Sequence, residues 1–244
     1  MAFPTVADVT KSAHASAATH AITLPATVNS GELLLMFYVC KAFGGSLAVP
    51  SGWTSLGANS GANGGHLVCY LEAAGTEGGG TATVTAANTS AACAQVYRIN
   101  DWNAIEAAKS NNTISSAPNP PSLTPSWGAK DALWLAGCTA IDDDATVSAY
   151  SSSYASGEYN NAGAGTNASS EIGVARRALN AAVQDPAAMT LSEAEAWVAW
   201  TLAVEPGTKG PAAAGGATPR PPKLHNSDNQ FASITAHRLG GVLE

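Results

Sequence analysis

Two apolar runs, about one hundred residues apart, constrain this chain more than any other feature: ELLLMFYVC at 32–40 and DALWLAGC at 131–138. Each starts with an acidic residue, continues without a polar interruption and ends in cysteine. Runs this short fall well below the roughly 20 residues a membrane helix needs. A short segment that is apolar on every residue fits a central strand covered on both faces. HLVCYLEA (66–73) supplies the complementary signal. Leu67, Cys69 and Leu71 alternate with His66, Val68, Tyr70 and Glu72, the period of a half-buried strand, which puts His66 on the exposed face. HAITLP (20–25), TATVTA (81–86) and AACAQVYRI (91–99) read as further strands.

The second half repeats this programme. LPATVNSGELLLMFYVCKA matches LTPSWGAKDALWLAGCTA, HLVCYLEAAGTE matches IGVARRALNAA, and TATVTAANTSAACAQVYRI matches PAAMTLSEAEAWVAWTLAV. Leu34 to Leu133 is 99 residues, Cys40 to Cys138 is 98 and Val84 to Met189 is 105, so one short insertion reconciles the offsets. A period this long is no solenoid repeat. It predicts an all-β, jelly-roll-like β-sandwich built from an internally duplicated strand set, with halves at about 20–101 and 120–205. One intertwined sandwich and two tandem ones both satisfy the pattern. Between the halves, Pro118, Pro120 and Pro121 exclude a central strand, and WNAIEAAKS is either a short helix or an edge strand.

Only 12% of residues are charged, about half the usual share, while 45% are hydrophobic. Ala, Gly, Ser, Thr and Asn replace the missing charge, which argues against a helical bundle with its charged outer faces. Residues 1–205 hold 7 Lys/Arg and 16 Asp/Glu, a net −9, so the body is a poor ligand for nucleic acid. No uninterrupted apolar run approaches the roughly 20 residues of a membrane helix, and the N-terminus lacks a basic start followed by an apolar core, so no secretion signal is expected.

After residue 205 the character changes. Residues 206–222 form a Pro/Gly/Ala linker, and 223–244 form an arm with Leu224, Phe231, Ile234, Leu239 and Val242 at wide spacing. Such a segment cannot build a core alone, so it is expected to dock on a neighbouring subunit, with folding back on its own body as the alternative.

Catalytic signals are weak. There is no GxSxG nucleophile turn, and only His14, His20 and His66 lie in the body. Cys40, Cys69, Cys93 and Cys138 form no CxxC pair and sit in apolar segments, which reads as small buried hydrophobes rather than zinc ligands. Asp142–Asp144 in IDDDATVS lack calcium-loop spacing and read as a solvated loop. Glu193 and Glu195 share one side of a strand without a glycosidase-like partner geometry being legible. No enzyme activity, metal or cofactor is expected. Tryptophans give the best binding signal. Trp53 lies in the Gly/Ser/Asn-rich PSGWTSLGANSG, where it is a sugar-stacking platform or an anchor for its loop; the anchor reading is favoured, with Tyr150 or Tyr154 as its counterpart in the second half.

The succession GELLLMFYVCKA, then PSGWT at Pro50–Thr54, then HLVCYLEA with an acidic turn, then AQVYRIND resembles a family of bacteriophage virion structural proteins. The resemblance covers roughly residues 20–101 and extends more faintly into the second half. It implies a β-sandwich carried on a phage particle as a capsid decoration, head-fibre or tail-associated subunit, assembled in the bacterial host cytoplasm. Partners would be major capsid or tail subunits, further copies of the chain, or a glycan on the host surface. It supplies no catalytic residues. A carbohydrate-binding adhesin and a hydrolase accessory domain are the competing expectations.

Overall fold

The computed structural model describes residues 2–41, 47–61, 64–141, 145–162, 170–208 and 224–226. Among them there is no helix, and the strands form several sheets whose neighbours within the body pair antiparallel. The first sheet contains β1 (Thr5–Thr23), β2 (Leu33–Cys40), β3 (Thr54–Gly61), β4 (Gly64–Glu72) and β5 (Thr81–Asn100) in the spatial order β1-β5-β2-β4-β3. The second contains β6 (Trp102–Ser115), β7 (Lys130–Ile141), β9 (Ala155–Asn161), β10 (Glu171–Ala181) and β12 (Glu195–Pro206) in the order β6-β12-β7-β10-β9. A two-stranded piece pairs β8 (Val147–Ala149) with β11 (Thr190–Leu191). WNAIEAAKS thus enters β6 as strand, not helix. Each sheet is drawn from one half of the chain. Strands do not cross back and forth between the sheets as a jelly roll requires, and this connectivity differs from the expected one.

Alternate residues of β2 explain its unbroken apolarity. Leu33, Leu35, Phe37 and Val39 join a core cluster with Tyr97, Trp102, Leu133, Leu135, Trp200 and Leu202, so they face the second sheet. Leu34, Met36, Tyr38 and Cys40 join another cluster with Ile22, Leu24, Val28, Ala82 and Val84. These last residues come from a flap. The β1–β5 ribbon pairs from Thr5 to Thr23, its ladder is irregular between His14 and Thr19, and past that point it covers the outer face of β2 and β4. Bulges bend strands and increase their twist, and here they turn an edge ribbon into a lid.

The second sheet is covered in the same manner. Met189 and Leu191 pack on Cys138, Ala140, Trp197 and Ala199 at one end of its outer face. Leu123 and Trp127 pack with Ala132, Trp134 and Ala203 at the other. The result is a sandwich-like pair of sheets with cover on both outer faces. Between the sheets, edge-to-face ring pairs contribute to the core: Phe37 with Tyr97 at 5.8 Å and Tyr70 with Trp102 at 6.1 Å. Asp101, at φ +58°, makes the left-handed step that carries the chain from one sheet into the other, a conformation Asp tolerates better than most residues.

Candidate functional site

Trp53 stands at the end of a tight turn. Its N–H donates to the Pro50 carbonyl at 3.1 Å, and Gly52 takes φ +83° at the third position, as a type II turn demands. The second half builds the same turn from Ser151 to Tyr154. The Tyr154 N–H donates to the Ser151 carbonyl at 3.1 Å, and Ser153 takes φ +69°. Of the two tyrosines considered as counterparts of Trp53, Tyr154 occupies the equivalent place. Trp53 is half-buried and packs on the flap-side cluster, and Tyr154 likewise packs on a cluster of the second sheet's outer face.

The exposed part of Trp53 borders a groove of about 550 Å³ between the Pro50–Trp53 turn and the start of β5. Leu24 and Leu71 form its floor, and Ser51, Thr76, Thr81 and Thr83 bring hydroxyl groups to it. Glu77 also lines the groove, but its carboxylate is committed. It accepts the N–H groups of Ala74, Gly75 and Thr76 at 2.8, 2.8 and 2.9 Å. Burial alone would raise its pKa, yet these donors hold it below the ordinary carboxylate value. An aromatic wall with neutral hydroxyls and no cation suits an uncharged polar ligand better than an anion.

The arm is described only at β13 (Leu224–Asn226), which runs parallel to edge strand β6, with Leu224 opposite Ala107 and Asn226 opposite Lys109. Phe231, Ile234, Leu239 and Val242 lie outside the described residues, as do Asp142–Asp144.

Histidine placement departs from expectation. His66 is buried, not exposed, because both faces of β4 are covered: Val68 and Tyr70 meet the second sheet while Leu67 and Cys69 meet the flap. Its Nδ1 lies 2.9 Å from the Thr139 hydroxyl. That hydroxyl donates its one proton to the Val198 carbonyl at 3.3 Å, so the imidazole is the donor. His20 is also fully buried, at the irregular part of the β1–β5 ribbon. Its Nε2–H donates to the Ser90 carbonyl at 3.0 Å, and its Nδ1 accepts from the Tyr38 hydroxyl at 2.8 Å. One neutral tautomer satisfies both contacts. The His14 ring sits 5.3 Å away, centroid to centroid. Burial lowers the pKa of both imidazoles, and for His14 the neighbouring His20 lowers it further.

This group has no carboxylate to orient an imidazole and no serine hydroxyl within its bonds, so it does not compose a nucleophile–base relay. All four cysteines are free and buried. Burial pushes the Cys69, Cys93 and Cys138 thiols far above their ordinary pKa, which keeps them protonated and poor as nucleophiles or metal ligands. Three of the four buried carboxylates among the described residues are occupied locally. Glu106 accepts from the Ser126 N–H at 3.0 Å and from its hydroxyl, Glu32 accepts from the Asn29 N–H at 2.7 Å, and Glu205 pairs with Lys130 and Asn103. Glu193 is exposed and precedes β12. Among the described residues, no three His, Cys, Asp or Glu side chains gather as a metal site would require. Sequence reasoning missed the buried His20–Tyr38 contact, since it arises from a flap fold that periodicity does not encode.

Comparison with protein-family models, with curated protein sequences and with solved structures gives no match.

Proposed function

We propose that this protein is a structural component of a bacteriophage particle, a capsid decoration or accessory subunit fastened to its neighbours by the C-terminal arm. The observation that carries the reading is the pairing of Leu224–Asn226 along β6. An arm segment that completes a sheet edge in its own subunit finds the same donors and acceptors on β6 of any identical neighbour. Between β12 and that strand lie residues 207–223, a small-residue linker long enough to span to a second body. The virion-like succession around PSGWT points the same way.

The finer fold reading is duplication. Both sheets place their first, last, second, fourth and third main strands in that spatial order. Leu33 pairs with Ile99 in one sheet and Leu133 pairs with Val204 in the other, 100 and 105 residues later, and all four face the shared core. The turns at Trp53 and Tyr154 add an independent correspondence.

Deleting residues 207–244 and measuring incorporation into particles tests the arm. Loss of incorporation with the body still folded supports the proposal, and undiminished incorporation refutes it. A second reading, a carbohydrate-binding module on the same particle, is favoured by the groove beside Trp53. It requires that neutral oligosaccharides quench tryptophan fluorescence and that Thr83→Arg, which blocks the groove from an exposed position, abolish the quenching.

A further inference from the structure

We propose that a second groove, between the start of β1 and the bulged start of β9, is a binding site for a ligand carrying a carboxylate or phosphate group. The groove encloses about 390 Å³, and Val6, Leu133, Ser153, Ser156, Arg176 and Arg177 line it. Arg176 and Arg177, consecutive on β10, both border this concavity, and its lining contains no carboxylate. The surrounding body carries 16 acidic and only 7 basic residues, so two arginines left without an acidic partner run against its composition. Among the described residues neither forms an ion pair. The nearest carboxylate on β9, Glu158, is taken by Lys11 at 2.9 Å.

The position of Arg176 is not one that folding alone selects. In the first sheet Leu35 pairs with Tyr70, a buried core ring; in the second, Leu135 pairs with Arg176. An arginine therefore stands where the corresponding strand supplies an aromatic anchor. Its Nη1 is enclosed and has no hydrogen-bond acceptor, a costly arrangement for a charged donor. Arg176 also lines the groove. Backbone irregularity coincides with it. The β9–β10 ladder slips by one residue between Val174 and Arg176, and Ser156, at φ +50°, sits in the resulting bulge. Bulges re-aim side chains, and strained non-glycine residues concentrate at binding sites.

Arginine forks match two oxygens of a carboxylate or phosphate, and the serine hydroxyls offer further neutral donors. Arginine at the edge of an open groove fits a single anionic group, not a polyanion, consistent with the acidic body. This site is separate from the Trp53 groove, which has no basic residue in its lining.

Titrating the full chain with sodium phosphate, and separately with sodium glucuronate, while following the arginine Nε–Hε resonances tests the proposal. Sodium chloride at matched ionic strength is the control. Saturable shifts of the Arg176 and Arg177 signals are expected with at least one oxyanion and not with chloride. A response to phosphate alone assigns a phosphate ligand, and a response to glucuronate alone assigns a carboxylate. Arg177→Gln, at a half-buried position, is expected to weaken binding at least tenfold with an unchanged melting temperature, and Arg177→Lys is expected to weaken it as well, because an ammonium lacks the fork. No saturable shift with either oxyanion, or full affinity in Arg177→Gln, would overturn the assignment.

Discussion

Replacing Trp53 by alanine removes the only aromatic ring among the described residues between β2 and β3, and with it the main apolar contact that this turn makes with the flap-side cluster. A fully buried tryptophan withdraws about 150–250 Å² from water, worth about 4–6 kcal/mol at about 25 cal/mol per Å². Two corrections reduce this. Part of the ring faces the groove, and extended-chain reference areas overstate burial by roughly 10–40%. A loss of about 2–3 kcal/mol remains, close to the lower end of large-to-small core replacements. Urea unfolding followed by far-UV circular dichroism measures it as a shift of midpoint at constant slope. Tyr154→Ala, at the equivalent turn, is expected to behave alike. If Trp53→Ala unfolds within about 0.5 kcal/mol of the parent, the size of an ordinary surface change, the ring does not anchor the turn and a ligand-platform role gains instead.

The two turns also make opposite predictions at their third residue. Gly52→Ala has space for its Cβ, with the nearest atom 4.0 Å away, so its expected cost of about 1–2 kcal/mol is backbone strain alone. Ser153→Gly relieves the same strain and is expected to stabilise by about 0.5–1 kcal/mol; a destabilised Ser153→Gly contradicts the turn geometry. The His14–His20 pair predicts a pH dependence. Both imidazoles have folded pKa values below the ordinary 6.5, so as pH falls through that value the unfolded chain takes up protons first and stability declines. The loss levels off only below the folded pKa values. Around the pair stand Tyr38 and Cys40 from β2 and Ser90 from β5, with no carboxylate among them to stabilise the charge. His14→Gln should flatten the urea-midpoint profile between pH 8 and 5, and superimposable profiles would remove the pair as its cause. Finally, mixing Ala107→Cys chains with Leu224→Cys chains reports where the arm pairs, since these residues are opposite each other. Cross-links between different chains are expected within particles; their absence there, when the double variant closes within one chain, means that the arm stays on its own body.

Strands were legible because their side-chain period is short and local. β2, β4, β7 and β12 all appear where apolar runs or alternation placed them. Faces were less legible. Alternation in HLVCYLEA assigned His66 to solvent, but alternation separates two faces without saying whether the second is covered, and here the opposing sheet covers it. The same limit shifted the match of the halves. Leu34 was aligned with Leu133, whereas Leu33 is the residue that shares its core-facing place. In a strand a one-residue slip exchanges the two faces, and a run apolar on both faces gives no signal against such a slip. The flaps were hidden for a related reason. HAITLP and TATVTA read as strands and are strands, yet nothing local tells a sheet member from a ribbon bent across a sheet. Arg176 and Arg177 carry no signal in the sequence, which gives the residue type but not the absence of acidic neighbours around them.

Cover on both outer faces bears on how such a body can assemble. A partner docking on β2 and β4, or on β7 and β12, would first have to displace the flaps, which bury Ile22 and Val84 on one side and Met189 and Leu191 on the other. Under the proposed function, association would therefore fall to sheet edges, loop ends and the arm. Among these, the β6 edge has the strongest claim, because Leu224–Asn226 already pairs with it. Three residue pairs form a short joint, which tethering can hold through local concentration. In the lattice proposed above, a neighbour's β6 would lie at a comparable local concentration and would offer the same hydrogen bonds. Exchange between the two would then cost little enthalpy, and under this proposal the order of the surrounding lattice, not the strength of the strand pairing, would select the linked form.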